Sequence, residues 1–226
     1  YCLRNGLVPD YVVTVDPHHG RIVRWFGDPD LNESNQARDD YFQRQDLDPH
    51  LGEDELARNS EVIQLVNQHG PNMKAIIATC ISPRVTRRSL DAGMDLYWWN
   101  PLYDDVRDPE SVTREVYNLN KAPCMATGGN CGSACWVFGN VVLQKKDVAL
   151  VGMDLSYAPG TPLEKTQYYR EIVELFGDEA PEAYIDVQNP YDQQVWFTDP
   201  TYYWYRDTLL QMAQDADRTT YNCTEG

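Results

Sequence analysis

Asp16 and Asp154 each stand where an apolar run gives way to a polar loop, and Thr127-Gly128-Gly129-Asn130 forms a glycine turn before a helix. A carboxylate at a strand end can accept a proton from an attacking hydroxyl, help hold a metal ion, or hydrogen-bond ribose or backbone amides. Two adjacent glycines let backbone N–H groups approach a ligand, and a helix N-terminus carries unpaired donors and partial positive charge that suit a phosphate or carboxylate. Asn130 or Ser133 would cap that helix or add a donor. The same turn also serves as a plain tight turn, and Asp154 as a loop acid. His18 follows Asp16 closely, but His18 and His19 are neighbours on an extended loop, so their side chains point apart and suit hydrogen bonding better than a shared metal.

Alternating elements must position these groups. Residues 131–145 carry Ala134, Val137, Phe138, Val141 and Val142 at helical spacing, which predicts one core-facing stripe. Residues 148–153 lack polar alternation and read as a strand covered on both faces, ending at Asp154. Further strands are expected over 11–15, 73–79, 94–98 and 123–126, and a last one over 219–222. Helices are expected over 53–69, 82–92, 108–118, 161–176 and 199–215, several opened by Ser-Pro or Asp-Pro. Residues 183–187 and 195–197 suit a hairpin or flap. The polar stretch 27–52 reads as a surface excursion, with Trp25, Phe26, Tyr41 and Phe42 packing locally or forming a lid. Strands alternating with helices predict an α/β fold with a mostly parallel sheet and helices on both faces. Ligands then bind outside the carboxyl ends of the strands, an edge expected to gather Asp16, Asn100, the 127–130 turn and Asp154-Leu155-Ser156-Tyr157. Lys165 and Tyr168 are placed to complete a pocket.

The 226 residues suit one globular domain spanning 1–226, and the formal charge of −16 excludes the basic footprint that nucleic acids and anionic membranes require. A phosphate-bearing ligand would need local N–H donors, a metal or a few placed cations. The six cysteines show no CxxC pair and read as reduced thiols of a cytoplasmic protein, with Cys131 and Cys135 as unbridged packing residues. No apolar run reaches membrane-spanning length. The opening residues 1–6 read as the last turn of a helix closed by Gly6, so an earlier strand and helix are expected upstream.

Four blocks carry a resemblance: residues 9–17 (PDYVVTVDP), Gly128-Gly129-Asn130-x-Gly132-Ser133-Ala134, residues 151–157 (VGMDLSY) and residues 222–226 (NCTEG). They resemble the family that groups archaeal-type 6-hydroxymethylpterin diphosphokinases (MptE-like) with the motility accessory factors (Maf) that glycosylate flagellin. The resemblance implies a Rossmann-like core, similar to bacterial sialyltransferases, that uses a nucleotide-activated donor. It implies Thr127, Gly128, Gly129, Asn130 and Ser133 at the nucleotide phosphates, and a pocket of Asn100, Ser156, Tyr157, Lys165, Tyr168, Asn222 and Glu225. The family opens with a strand and a Gly-Pro-Ser-rich loop that this sequence lacks.

Two chemistries compete within that family. Transfer of a nonulosonate sugar from a CMP donor to a hydroxyl of a protein or glycan needs a general base, for which Asp154, Asp16 or His18 are candidates. Transfer of diphosphate from ATP to a pterin hydroxymethyl group needs Mg²⁺, with Asp16 and Asp154 as its carboxylates. The long polar stretch and the aromatic C-terminal half favour the sugar. A third possibility, from another class, is a nucleotide-binding or assembly protein without chemistry.

Overall fold

In a computed structural model of the chain, residues 1–18, 20, 22–36 and 55–224 are described. The expected residues Tyr41, Phe42, His19 and Glu225 lie outside this set. The strands are β1 (Tyr11–Thr14), β2 (Lys74–Ala78), β3 (Asp95–Pro101), β4 (Cys124–Met125), β5 (Asp147–Leu150), β6 (Ile185–Gln188), β7 (Val195–Thr198) and β8 (Thr219–Asn222). The helices are α1 (Ile22–Trp25), α2 (Glu33–Gln36), α3 (Glu55–His69), α4 (Pro83–Asp91), α5 (Val112–Asn120), α6 (Cys131–Val137), α7 (Tyr169–Phe176) and α8 (Pro200–Asp215). The protein is therefore mixed α/β. Where the sequence suggests one domain, the chain divides into two compact units, with the boundary between Thr127 and Gly128.

The first unit holds a four-stranded sheet in the order β1-β2-β3-β4, parallel throughout. Ala75 and Ile77 of β2 pack with Val66 of α3, Val85 of α4 and Val23 and Phe26 at α1, with Val12 and Leu96 beside them. Polar anchors fix the chain around this core. Arg88 is buried and its Nε donates to the Phe26 and Gly27 carbonyls at 2.9 and 2.7 Å. Asn59 pairs with the backbone of Asp28 through two 2.7 Å hydrogen bonds, and Arg84 reaches the buried Asp28 carboxylate at 2.8 Å. Helix α4 starts as expected, with Ser82 accepting from Arg84 N and Pro83 in the first turn. Helix α5 starts later than Asp108-Pro109 suggests. Asp104 accepts from the Ser111 hydroxyl and from Val112 N, while Ser111 itself caps Arg114 N, so the entry turn sits at Ser111.

The second unit contains two separate ladders: parallel β5–β8 and antiparallel β6–β7, the latter being the expected hairpin. Among the described residues the strands form three sheets, where the sequence suggests a single mostly parallel one. Nor is β5 buried on both faces. Its exposure alternates, and Val151 beyond it is 78% exposed, because a two-stranded ladder covered on one side has an inward and an outward face. Val148 lies against the turn after α6, and Trp136 of α6 donates from Nε1 to Thr220 of β8 at 2.9 Å, so α6 supplies that cover.

Helix α6 does not continue in α form to Lys145. Residues Phe138–Val142 form a π-helical turn in which Leu143 N bonds Phe138 O. The i→i+5 closure resets the angular period, so Ala134, Val137 and Phe138 are buried as expected while Val141 and Val142 face solvent at 61% and 55% exposure. Asn140 is buried in their place. Residues 161–176 likewise yield only a 3₁₀ turn (Leu163–Lys165) before α7. No helix among the described residues is long and apolar enough to cross a membrane.

Candidate functional site

The carboxyl edge of the four-stranded sheet brings Asp16, His18, Cys80 and Tyr103 into one neighbourhood. Asp16 Oδ1 accepts the His18 N–H at 2.8 Å, folding the loop after β1 back on itself. His18 Nδ1 accepts from Gly20 N at 3.3 Å, so the neutral ring carries its proton on Nε2. Cys80 follows β2 and its thiol donates to the Val15 carbonyl at 3.3 Å. Burial, with a smaller push from the Asp16 charge, raises the Cys80 pKa. Burial also raises Tyr103, whose phenol hydrogen-bonds Cys80. Asp16 thus shares this edge with a thiol and a phenol that both stay protonated.

Neither Cys80 nor Tyr103 stands out in the sequence, yet both directly follow strands, the criterion that marks Asp16. Asn100, expected in the pocket, is instead a fully buried structural node. Its oxygen accepts from Thr79 Oγ1 at 2.7 Å and Asn120 Nδ2 at 2.8 Å, and its nitrogen donates to Asn120 Oδ1 and the Ala122 carbonyl. Every hydrogen-bonding position of that amide is used within the unit.

In the second unit the glycine turn enters α6 through a capping box. Asn130 Oδ1 accepts from Ser133 N at 3.0 Å while the Ser133 hydroxyl accepts from Asn130 N at 3.3 Å and donates to Asn130 O. Ser133 is fully buried. Two N–H groups expected to meet a phosphate are therefore occupied by the cap. The glycines themselves make room for neighbours. A Cβ on Gly129 would fall 2.5 Å from Trp204 and 2.7 Å from Tyr205, and one on Gly132 would fall 2.3 Å from the Met153 sulfur. Thr127 precedes this packing, half-buried.

From Gly129 an aromatic chain runs inward. Tyr205 Oη lies 3.3 Å from Tyr168 Oη, Tyr168 meets Tyr202 edge-on, and Tyr202 stacks on Tyr157 with centroids 5.5 Å apart. Tyr157 ends at Asp199, donating to Oδ2 at 2.7 Å and accepting from Gln167 N. Burial pushes Tyr157 and Tyr168 upward, so both stay phenols. Tyr157 is thus a core residue anchored to a helix cap. The sequence misses Tyr202, Trp204, Tyr205 and Asp199 as partners of the turn, although the spacing of Tyr202 and Tyr205 puts them on one face of the helix that Asp199 opens.

The remaining candidates are peripheral to this aromatic core. Asp154 is exposed beyond β5, in a loop where Leu155 has φ 53°. That loop is tied to β7 by the Leu155 carbonyl accepting from Thr198 and by the paired backbones of Tyr157 and Phe197. The Ser156 hydroxyl is buried with no hydrogen-bond partner. Lys165 is exposed. Asn222 is used locally, its oxygen accepting from the N–H and hydroxyl of Thr224.

No family model matches the chain, and neither a curated protein nor a solved structure matches it.

Among the described residues no three His, Cys, Asp or Glu side chains are grouped to hold a metal ion. None of the six cysteines is bridged. Cys131 and Cys135 are exposed, contrary to the packing role expected, because α6 turns Ser133, Ala134, Trp136 and Val137 to the core. The Cys131 thiol hydrogen-bonds Cys135 and lowers its pKa, which enriches the thiolate near neutral pH. Cys131→Ala is therefore expected to slow alkylation of Cys135 by iodoacetamide at pH 7 about threefold or more, read by peptide mass mapping. An unchanged rate would show that Cys131 does not stabilise the Cys135 thiolate.

Proposed function

We propose that the chain is a nucleotide-dependent transferase of Rossmann-like type, moving a sugar from a CMP-activated donor onto a hydroxyl in the cytoplasm. The observation that carries this reading is the Asp16 carboxylate in the neighbourhood of the Cys80 thiol and the Tyr103 phenol at the carboxyl edge of a parallel sheet, where α/β proteins bind ligands. In this reading Asp16 takes the proton of the acceptor hydroxyl as its oxygen bonds to the anomeric carbon. The bond from that carbon to the donor phosphate breaks, and its electron pair leaves on CMP. His18 Nε2–H supplies a hydrogen bond to the departing phosphate. The sequence resemblance to MptE-like and Maf proteins supports the nucleotide donor. Asp16 replaces Asp154 as the preferred base because Asp16 is half-buried at the carboxyl edge of the sheet, whereas Asp154 is exposed.

Thermal shifts with CMP, CTP, ATP and GTP, each with and without Mg²⁺, test the donor. Cytidine nucleotides are expected to raise the melting temperature; a Mg²⁺-dependent response to ATP alone would move the assignment to diphosphate transfer, and silence with all four to a scaffold. With a CMP-sugar donor, Asp16→Asn is expected to retain nucleotide affinity and lose turnover about a hundredfold, the scale of a missing general base. Asp154→Asn should stay within a few-fold of the parent, and the reverse pattern would move the base to Asp154.

A further inference from the structure

Strand β3 is flanked by β2 along its length, but β4 pairs only with its end, at Asn100 and Pro101. Thr79 N bonds the Trp99 carbonyl and Asp95 N bonds the Met73 carbonyl, which turns the backbones of Asp95, Tyr97 and Trp99 toward β2. In a parallel ladder the intervening residues face the other way, as Asn100 does in bonding Pro123 O. The N–H and C=O groups of Leu96 and Trp98 thus point out at an edge where no described strand pairs with them. Tyr97 and Trp98 are 50% and 41% exposed beside it. Folded proteins usually blunt such an edge with Lys, Pro or a bulge. None of these interrupts residues 95–99.

A cleft of about 520 Å³ adjoins this edge between β3 and α4, lined by Thr79, Ile81, Arg87, Leu90, Asp91 and Trp98. Trp98 belongs to both features, so a chain lying along the edge has a side-chain pocket beside it. That pairing of an open backbone ladder with a pocket is the arrangement of strand addition, in which main-chain bonds give affinity and the pocket gives selectivity. We propose that this edge binds an extended, basic segment of another protein, which adds a strand beside β3 and places one large apolar side chain in the cleft. Charge selects the partner: Asp91 and Asp95 border the edge and the chain carries −16 overall, which attracts a basic segment and repels a second copy.

The probe is the synthetic peptide acetyl-Lys-Val-Leu-Val-Lys-Val-Lys-amide, followed by residue-resolved amide hydrogen exchange on the full chain. Saturating peptide is expected to slow exchange at Leu96 and Trp98 at least tenfold and to leave Tyr97 and Trp99, already bonded to β2, unchanged. Methylating the peptide nitrogens that face the edge should abolish the effect, since it removes donors and blocks close approach. Asp91→Lys, a surface change, should weaken binding about tenfold, and Trp98→Ala should do the same where the chain stays folded. The proposal is overturned if Leu96 and Trp98 are already protected in the free monomer, or if protection survives methylation. It is equally overturned if sedimentation shows a dimer that protects these amides, because a second copy would then hold the edge.

Discussion

Replacing Asp199 with Ala is expected to lower stability by about 2–4 kcal/mol, the sum of a lost N-cap and a buried hydroxyl left unpaired. Asp199 is fully buried and accepts from Tyr202 N at 2.8 Å, capping α8, while its other oxygen takes the Tyr157 hydroxyl. For a chain of this length the loss corresponds to a fall of roughly 6–12 °C in melting temperature. Asp199→Asn keeps an oxygen for either bond and should behave differently with pH. Burial, opposed by the hydrogen bonds from Tyr202 and Tyr157, raises the carboxyl pKa above its ordinary 3.8. The folded state then holds the proton more tightly than the unfolded chain, so this contribution to stability is present below about 3.8 and is lost as pH rises through the folded pKa. The Asn variant should accordingly gain on the parent between pH 4 and 7 in denaturant melts. A constant difference over that range would mean that Asp199 does not titrate with folding.

Asp104 works in the opposite sense. The Ser111 hydroxyl, followed by Thr113 and the N–H groups of Val112 and Thr113, lowers its pKa to about 2. Its contribution is present above 3.8 and disappears as pH falls through about 2. Acid therefore loosens the turn that carries Tyr103, whereas the same protons relieve the cost of burying the Asp199 charge.

The second large effect is expected at Gly27, where Ala should cost about 3–4 kcal/mol. Gly27 has φ 76°, and an added Cβ would lie 2.6 Å from Ile63 Cγ1, 2.7 Å from Ile63 N and 2.8 Å from Ile63 Cα. The left-handed backbone accounts for about 1–2 kcal/mol, and forcing α3 away accounts for the rest on the usual scale of overpacking. Separation of α3 would also strain the hydrogen bonds that Arg88 makes to Phe26 and Gly27. Gly6 is the control: its φ is 73° but nothing lies within 4 Å of an added Cβ, so Gly6→Ala should show the backbone cost alone. Equal losses in urea titrations of the two variants would remove the packing argument.

Elements specified by neighbouring residues were legible in the sequence. Asp199-Pro200 sets the start of α8 because cap and first-turn proline act within one turn, and Ser82-Pro83 does the same for α4. The alternation of strands and helices predicts the parallel character of the first unit. Strand partnership is different, since β5 is as apolar as an interior strand and only its choice of β8 reveals an exposed face. The glycine turn is ambiguous in the sequence for a related reason: a phosphate and the rings of Trp204 and Tyr205 require the same missing Cβ, and the latter lie far along the chain. Cys80 and Tyr103 were hidden because neither residue type announces chemistry until burial and the Asp16 charge have acted on the thiol.

The strands of the first unit pair in the order in which they are synthesised, each with the next, so each pairing can form as its strand becomes available. The ladder of β5 with β8 closes across residues 151–218 and waits until β8 is made. During vectorial synthesis the first unit can complete its sheet while β5 still lacks its partner, leaving an apolar edge open to mispairing. Chains ending before Thr219 should therefore retain the first sheet yet aggregate through β5, which makes β8 the latch of co-translational folding.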